Sequence, residues 1–384
     1  MTPADNALRQ RVTSAFEAHF AEQPAYTVRA PGRVNLIGEH TDYNDGFVLP
    51  CAIGPATMVA ASARTDGKVN VIAADFEGAT DSFALDHITA STQGWTNYVR
   101  GMVDALKKAG LPLVGANLAI AGNLPKGAGL SSSASLEVAV GQAMLALTAT
   151  SVDRTRLAQI AQAAECDFVG TQCGIMDQLI SAQGKAGNAL LIDCRSLALT
   201  DAPVPDDMAI MIVHSGVTRG LVEGHYNERR RQCEAAAKAM GVTALRDADM
   251  DLLNATPLDP ITCARARHVI GENKRALDAA AALAKGDLAT LGVLMAQSHT
   301  SMREDFEITV PAIDQLVALL QTAIGPQGGA RMTGGGFGGA CVAILGADKV
   351  GHVRSVVEQG YRTPDGDLPL ILIERPSPGV AILS

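Results

Sequence analysis

The sequence predicts an α+β fold in two domains with a cleft between them, and three observations support that prediction. Strand-like and helical segments are mixed in both halves of the chain. The length of 384 residues exceeds what a single compact core usually accommodates. A proline-rich, acidic stretch, DAPVPDD at 201–207, lies between the halves. We therefore predict an N-terminal domain at 1–203 and a C-terminal domain at 204–384.

In the first half, apolar spacing predicts an opening helix at 3–21, because Leu8, Val12, Phe16 and Phe20 lie four residues apart. The runs 56–64 and 68–75 are strand-like, and the turn-forming residues 65–67 between them predict a β-hairpin. The remaining predicted strands of this half are 26–30, 46–53, 115–125 and 188–195, and its predicted helices are 96–109, 133–147, 154–168 and 176–183.

The second half begins with a predicted strand at 208–216, MAIMIVHSG. Several helices follow before the glycine-rich segment RMTGGGFGGACVAIL at 331–345. A helix near 349–359 and a strand at 368–374 complete the predicted elements. The dense glycines of this segment are compatible with a bend between strands, but they favour a backbone that passes close to a ligand.

Charge and composition argue against several kinds of partner. The net charge is -9, and the longest basic run is Arg229–Arg231, so neither nucleic acid nor an anionic membrane is expected. Seven cysteines at irregular spacing, without a C-x-x-C pair, predict reduced thiols in the cytoplasm and no structural zinc. We expect neither a signal peptide nor a membrane-spanning helix, because no apolar run has the required pattern or length.

A glycine-serine loop lies between a predicted strand and a predicted helix. Glycines let the backbone approach a ligand closely, and the first amides of a helix can bind phosphate oxygens. A serine that only caps the helix is the alternative, but one hydroxyl is enough for capping and three are present. The residues expected at a bound phosphate are Lys126, Gly127, Ala128, Gly129, Leu130, Ser131, Ser132 and Ser133. Neither the P-loop nor the dinucleotide fingerprint matches this segment.

A second concentration of polar residues is GRVNLIGEHTDYNDGFVLP at 32–50. Arg33 would be a surface ion pair, and His40 a satisfied core histidine, if the segment were only structural. Asp45 is best explained as a turn residue, because N-D-G is strong turn chemistry.

Five segments together resemble the galactokinase family of the GHMP small-molecule kinases. The stretch 32–50 resembles the galactokinase signature, KGAGLSSSAS at 126–135 the superfamily phosphate loop, and MTGGGFGGA at 332–340 its C-terminal glycine motif. CGIMDQ at 173–178 and HYNERR at 225–230 resemble further galactokinase segments. The resemblance implies an N-terminal mixed-sheet domain like ribosomal protein S5 domain 2, a ferredoxin-like C-terminal domain, and an active site in the cleft.

The resemblance also implies a role for individual residues. Asp177 matches the catalytic aspartate, and Arg33 matches the arginine beside the reacting phosphoryl group. Ser133 and Glu165 match the side chains associated with Mg²⁺, and Trp95 matches an aromatic near adenine, although a lone tryptophan is more often core packing. The implied sugar-binding residues are Glu39, His40, Thr41, Asp42, Gly174, Asp177 and Tyr226.

The reaction implied by the resemblance is transfer of the ATP γ-phosphoryl group to the anomeric hydroxyl of α-D-galactose, with Mg²⁺, as a step of galactose catabolism. Two alternatives remain: a kinase for another sugar, such as N-acetylgalactosamine or arabinose, and a galactose- and ATP-sensing regulator that has lost catalysis. The complete SSSAS sequence and the presence of Asp177 favour an enzyme. The oligomeric state stays open, with a monomer slightly favoured.

Overall fold

A computed structural model describes residues 2–125, 127–217 and 222–383 of the protein. Its helices are α1 Pro3–Phe20, α2 Gly94–Lys108, α3 Ser132–Leu147, α4 Arg154–Ala163, α5 Met176–Gln183, α6 Val222–Ala239, α7 Met250–Ala255, α8 Pro260–Ala284, α9 Leu288–Glu304, α10 Pro311–Ile324 and α11 Val350–Gly360. Its strands are β1 Tyr26–Asn35, β2 Phe47–Val48, β3 Pro50–Arg64, β4 Lys68–Ala73, β5 Ala79–Ala84, β6 Gly115–Gly122, β7 Asn188–Asp193, β8 Leu199–Pro203, β9 Met208–His214, β10 Gly328–Thr333, β11 Ala340–Gly346, β12 Ile371–Glu374 and β13 Ala381–Ile382.

A six-stranded mixed sheet forms the first layer, in the order β13-β1-β3-β6-β4-β5. Helices α2 to α5 bury one face of this sheet, with Met102, Val138 and Leu179 packed against strand residues. The opening helix α1 covers the other face through Leu8, Val12 and Phe16, as its apolar spacing predicts. The last strand, β13, pairs antiparallel with β1, so the end of the chain returns to this sheet.

The predicted β-hairpin between 56–64 and 68–75 is wrong. Strand β6 lies between β3 and β4, pairing antiparallel with β3 and parallel with β4, while β4 forms its antiparallel pair with β5. The turn at 65–67 reverses the chain, but it does not decide which strands become neighbours. Residues Gly115–Ala121 of β6 are buried, and a strand buried on both faces is stable at the centre of a sheet, where both of its edges are paired.

A four-stranded antiparallel sheet, ordered β10-β11-β9-β12, forms the second layer. Helices α6, α8 and α10 contribute to the core on one of its faces, with Met211 and Ala343 among the strand residues in that core. A separate core joins the two halves of the chain, because Leu36 and Ile53 from the first half pack with Ile212 from the second. A small sheet, β2-β7-β8, completes the strands.

Within the part of the chain that the structure describes, no helix is both long and apolar enough to cross a membrane. All seven cysteines carry free thiols.

Candidate active site

A cavity of about 310 Å³ lies where β1, the turn after it, the glycine-serine loop, the segment leading into α5, and α6 converge. The loop after β10 closes one side through Gly334 and Gly335. The predicted site residues that line this cavity are Arg33, Glu39, His40, Asp42, Gly127, Gly129, Leu130, Ser131, Ser132, Ser133, Glu165, Gly174, Asp177 and Tyr226. Residues from distant parts of the sequence therefore share one cavity.

Arg33 and Asp177 form a bidentate ion pair in the wall of the cavity. Arg33 Nε donates to Asp177 Oδ1 at 2.7 Å, and Nη2 donates to Oδ2 at 2.8 Å. The pairing register of β1 and β3 shifts between Pro31 and Arg33, and such bulges re-aim side chains beside active sites. Arg33 is almost fully buried and its Nη1 also donates to the Gly129 carbonyl at 2.6 Å, so its position is determined by three hydrogen bonds. The alternative explanation of Arg33, an ion pair at the protein surface, is therefore wrong.

The start of α3 has no side-chain cap. The alternative explanation of the loop, in which a serine only caps the helix, requires one. Ser131 occupies the N-cap position with a left-handed φ of 59°, and its side chain makes no capping hydrogen bond. Its hydroxyl instead donates to Asp177 Oδ2 at 2.6 Å. Gly127 and Gly129 have positive φ angles of 72°, a conformation that glycine adopts without strain. The first amides of a 16-residue helix are therefore available to an anion.

Asp177 has two further cavity carboxylates in its electrostatic surroundings, Asp42 and Glu165, and the three together carry more negative charge than Arg33 balances. Burial, followed by the Asp177 carboxylate, raises the pKa of Asp42 to about 7. Burial, again followed by Asp177, raises the pKa of Glu165 to about 7. Among the described residues that line the cavity, Arg33 is the only arginine or lysine. The arrangement can therefore accommodate an added cation.

Glu165 lies in a π-helical turn, Ala164–Val169, that extends α4. Its side chain accepts a hydrogen bond from Gln178 Nε2 at 2.7 Å and another from Ser133, the second predicted metal-associated residue. The described residues contain no group of three or more His, Cys, Asp or Glu side chains that would hold a metal by themselves. The neighbouring Glu165 carboxylate and Ser133 hydroxyl are oxygen groups of the kind that suits Mg²⁺, which proteins commonly bind through one or two carboxylates together with substrate phosphates.

Glu39 is buried and connects the segment 32–50 to the second sheet. Its Oε1 accepts from the Gly334 amide at 2.7 Å and from Arg331 Nη1 at 3.4 Å, and its Oε2 accepts from Asn35 Nδ2 at 2.8 Å. Arg331 is fully buried and also donates to the Leu36 carbonyl at 3.2 Å. The carboxylate is therefore fixed in place by both halves of the chain while it still faces the cavity.

An aromatic wall flanks the turn that follows Glu39. His40 has a left-handed φ of 63°, and its Nδ1 lies 2.8 Å from the Tyr43 hydroxyl. The His40 ring contacts the rings of Tyr226 and Phe306 at centroid distances of 5.1 and 4.8 Å. Burial, followed by the Asp42 carboxylate, raises the pKa of Tyr226, so its phenol stays a hydrogen-bond donor at neutral pH.

Gly174 leaves space for the Asp42 carboxylate. A Cβ at this position would lie only 2.1 Å from Asp42 Oδ2 and 2.2 Å from the carboxylate carbon. Glycine is therefore required sterically if Asp42 is to keep its place in the cavity.

Comparison with known proteins agrees with this geometry. A family model described as the galactokinase galactose-binding signature matches residues 14–63. The models for the GHMP kinase N-terminal and C-terminal domains match residues 97–185 and 279–363. The crystal structure of Lactococcus lactis galactokinase complexed with galactose is 35% identical in sequence, with a TM-score of 0.92, over 97% of this chain and 99% of that one. The chain belongs to the galactokinase family.

More distant GHMP kinases share the fold. Methanococcus jannaschii mevalonate kinase is 16% identical, with a TM-score of 0.64, over 92% of this chain and 99% of that one. Streptococcus pneumoniae phosphomevalonate kinase, solved with phosphomevalonate and AMPPNP, is 15% identical, with a TM-score of 0.62, over 86% of this chain and 95% of that one. The predicted two-domain α+β fold is confirmed, and the galactokinase match identifies a sugar kinase, a transferase of a family that uses ATP as co-substrate. The boundary at residue 203 stays a prediction.

Three predicted site residues that the structure describes do not line the cavity. The Thr41 side chain is buried, and its hydroxyl contacts the carbonyls of Gly38 and Phe47 at 2.9 and 2.7 Å, which stabilises the turn. Ala128 is buried within the loop. Trp95 stacks on Phe76 with ring centroids 6.0 Å apart, away from the cavity lining. Lys126 lies outside the described residues.

Several cavity residues were not predicted from the sequence of this galactokinase-family chain. Tyr98 lines the cavity from α2, one helical turn after Trp95, so its helical spacing was the available signal. Cys173 lies directly before Gly174, and adjacency to the motif was the only indication.

Asp45 has a φ of 58°, as its interpretation as a turn residue predicts. It pairs with Arg195 at 3.1 Å and lies outside the cavity lining.

Proposed function

We propose that the protein transfers the γ-phosphoryl group of ATP to the anomeric hydroxyl of α-D-galactose, giving α-D-galactose 1-phosphate and ADP. The observation that carries the proposal is the Arg33–Asp177 pair, which lies in one cavity with both the glycine-serine loop and the galactokinase signature. A phosphoryl donor bound at the loop and a sugar bound at the signature would meet at this pair. The family match and the similarity to a galactose-complexed galactokinase support the choice of sugar.

The loop and the N-terminus of α3 would bind the ATP phosphates. The uncapped amides of α3 and the glycine backbone supply hydrogen-bond donors, and the helix dipole favours negative charge there. Ser132 and Ser133 add hydroxyls at the same end of the cavity. Tyr98 is the described aromatic residue on α2 that lines this cavity, so it is the better candidate than Trp95 for contact with the nucleotide.

The sugar would be recognised by Glu39, His40, Asp42, Tyr226 and the backbone of Gly174. Two carboxylates that accept hydroxyl protons, together with ring and phenol groups, match a ligand that presents hydroxyls in several directions. A sugar of the wrong stereochemistry would leave one of these buried groups unpaired, at a cost of roughly 1 to 3 kcal/mol for each group. Selectivity for galactose over glucose follows from that cost.

Asp177 would orient the anomeric hydroxyl and accept its proton. A carboxylate has about four acceptor positions, and Asp177 uses one at Oδ1 and two at Oδ2 for Arg33 and Ser131. The remaining position is on Oδ1, and 26% of the side chain is still exposed in the cavity. Oδ1 is therefore the atom that we assign to the substrate hydroxyl, while Arg33 stabilises the charge that develops on the transferred group.

Ser133 and Glu165 would hold Mg²⁺ together with the ATP phosphates. When bound, the ion would neutralise charge on the β- and γ-phosphate oxygens. The surplus of carboxylates in the cavity supports this assignment, since Mg²⁺ prefers oxygen ligands. Gln178 would keep the Glu165 carboxylate oriented through its 2.7 Å hydrogen bond.

A sugar panel tests the proposal. ADP release should be measured with Mg²⁺-ATP and galactose, glucose, N-acetylgalactosamine or arabinose, and the phosphorylated position should be identified by phosphorus NMR. We expect turnover with galactose, a product phosphorylated at the anomeric oxygen, and little turnover with glucose. Preference for another sugar would replace galactose in the proposal, and binding of galactose and ATP without turnover would indicate a sensing protein.

A further inference from the structure

Two cysteines meet at the edge of the active site, outside the roles proposed so far. The sulfur atoms of Cys166 and Cys173 lie 3.8 Å apart, and Cys166 Sγ is 3.7 Å from the Cys173 carbonyl oxygen. Both thiols are free and partly exposed, and Cys173 lines the cavity. Four of the other cysteines are buried, and the fifth, Cys263, contacts Arg267 on α8.

The segment that joins these cysteines is compact and already brings the two sulfurs together. The Gly170 and Thr171 amides donate to the Glu165 carbonyl at 2.9 and 3.2 Å, which folds residues 165–171 into a tight turn. Gly170 has a φ of 99°, a conformation that permits this reversal. A disulfide has a sulfur–sulfur distance of about 2 Å, so the two side chains need to approach by less than about 2 Å to form one.

We propose that Cys166 and Cys173 are a redox-modification site, at which an intramolecular disulfide reversibly inactivates the enzyme. A small-molecule disulfide is the oxidant. One cysteine thiolate attacks a sulfur of that disulfide and displaces one small thiolate, and the second cysteine thiolate then attacks the mixed disulfide and displaces the other. The two cysteines lose two protons and two electrons, and the small disulfide is reduced to two thiols.

The disulfide would disturb the active site because each cysteine adjoins a site residue. Cys166 follows Glu165, and Cys173 precedes Gly174, where the backbone is packed against the Asp42 carboxylate. Gln178, which donates to Glu165, also lies 3.8 Å from Cys173 Sγ. Drawing the two sulfurs together moves backbone on both sides of the cavity, and a displacement of about 1 Å in a catalytic site costs on the order of a hundredfold in rate.

The sequence allows the disulfide to be detected directly. Trypsin cleaves after Arg156 and Lys185 and releases both cysteines on one peptide that contains no other cysteine. After exposure of the full-length protein to glutathione disulfide, this peptide should lose two hydrogen atoms and carry no glutathione. The peptide mass does not depend on the sugar that the enzyme takes, so failure of this inference is distinguishable from failure of the proposed reaction.

Activity and two variants complete the test. We expect oxidised wild-type protein to lose at least about tenfold in turnover and to recover with dithiothreitol, since the rearrangement reaches the catalytic site. Cys166→Ser keeps a donor for the Cys173 carbonyl and should resist inactivation, whereas the distant control Cys263→Ser should be inactivated like the wild type. A peptide that stays reduced, an oxidised peptide with full activity, or equal inactivation of Cys166→Ser would each overturn the proposal.

Discussion

Replacing Asp177 with asparagine removes a proton acceptor and half of a buried ion pair while preserving the shape of the side chain. An amide can accept from Arg33 Nε, but its NH₂ group then faces the Arg33 Nη2 donor, which the carboxylate now binds at 2.8 Å. An unsatisfied buried donor costs about 1 to 3 kcal/mol, so we expect a loss of stability of that order. Arg33 keeps its bond to the Gly129 carbonyl, so the variant should still fold.

The expected loss of activity is larger than the loss of stability. General-base catalysis typically contributes about a hundredfold to ten-thousandfold, which corresponds to about 3 to 5 kcal/mol of barrier. Steady-state turnover with galactose and Mg²⁺-ATP should therefore fall by at least about a hundredfold, while calorimetry should still detect both ligands. Single-turnover measurements would show whether the chemical step, rather than product release, is slowed.

Asp45→Asn is the matched control for this experiment. Asp45 belongs to the segment 32–50 that also contains Arg33. Like Asp177 it pairs with an arginine, Arg195, but both partners are about 40% exposed and lie outside the cavity lining. Exposed ion pairs contribute at most about 1 kcal/mol, so this variant should keep its turnover and nearly all of its stability. If Asp177→Asn behaves like Asp45→Asn in turnover, Asp177 is not the base, and the reasoning from the Arg33–Asp177 geometry fails.

Three further predictions follow from the cavity. Gly174→Ala should displace Asp42 and raise the galactose KM at least about tenfold, while ATP binding stays unchanged. An unaltered KM would show that Asp42 does not bind the sugar. Ser133→Ala should raise the Mg²⁺ concentration needed for half-maximal activity more than it raises the galactose KM; identical Mg²⁺ titrations would remove Ser133 from the metal site. Because the pKa of Asp42 is raised from 3.8 to about 7, the unfolded chain releases this proton first, so the free energy of unfolding should fall between about pH 4 and pH 7 and then level off. Urea titrations of Asp42→Asn at the same pH values should show a smaller decrease, and an identical pH dependence would contradict the assignment.

The sequence predicted the local elements and most of the cavity residues because the patterns that indicate them, apolar spacing and family motifs, each span only a short stretch of the chain. Apolar spacing located α1, α2, α3 and α5, and the family motifs located Arg33 and Asp177. The hairpin prediction failed because strand neighbours are chosen by burial over the whole sheet, which no turn sequence encodes. Thr41 lies within the right motif, but the motif does not reveal that its hydroxyl turns inward to the carbonyls of Gly38 and Phe47.

Contacts between distant parts of the chain were beyond the sequence analysis. Arg331 donates to Glu39 from a position 292 residues further along the chain, and neither residue carries a pattern that points to the other. The π-helical turn that carries Glu165 was predicted as part of a continuous helix, since its apolar spacing differs little from that of α4. The family resemblance pointed to Trp95, whereas the described aromatic of α2 that lines the cavity is Tyr98, about one helical turn further on.

The contact of Glu39 with Gly334 and Arg331 has a consequence for biosynthesis. The ribosome completes the signature segment, residues 32–50, about 280 residues before it reaches Arg331. Asn35 of the same segment donates to Glu39 Oε2, but the two donors to Oε1, Arg331 and Gly334, emerge only with β10 and the loop that follows it. A nascent chain released before that point would contain the proposed sugar-binding residues of the signature but would lack both donors to Glu39 Oε1. We therefore expect premature termination products to bind the sugar poorly.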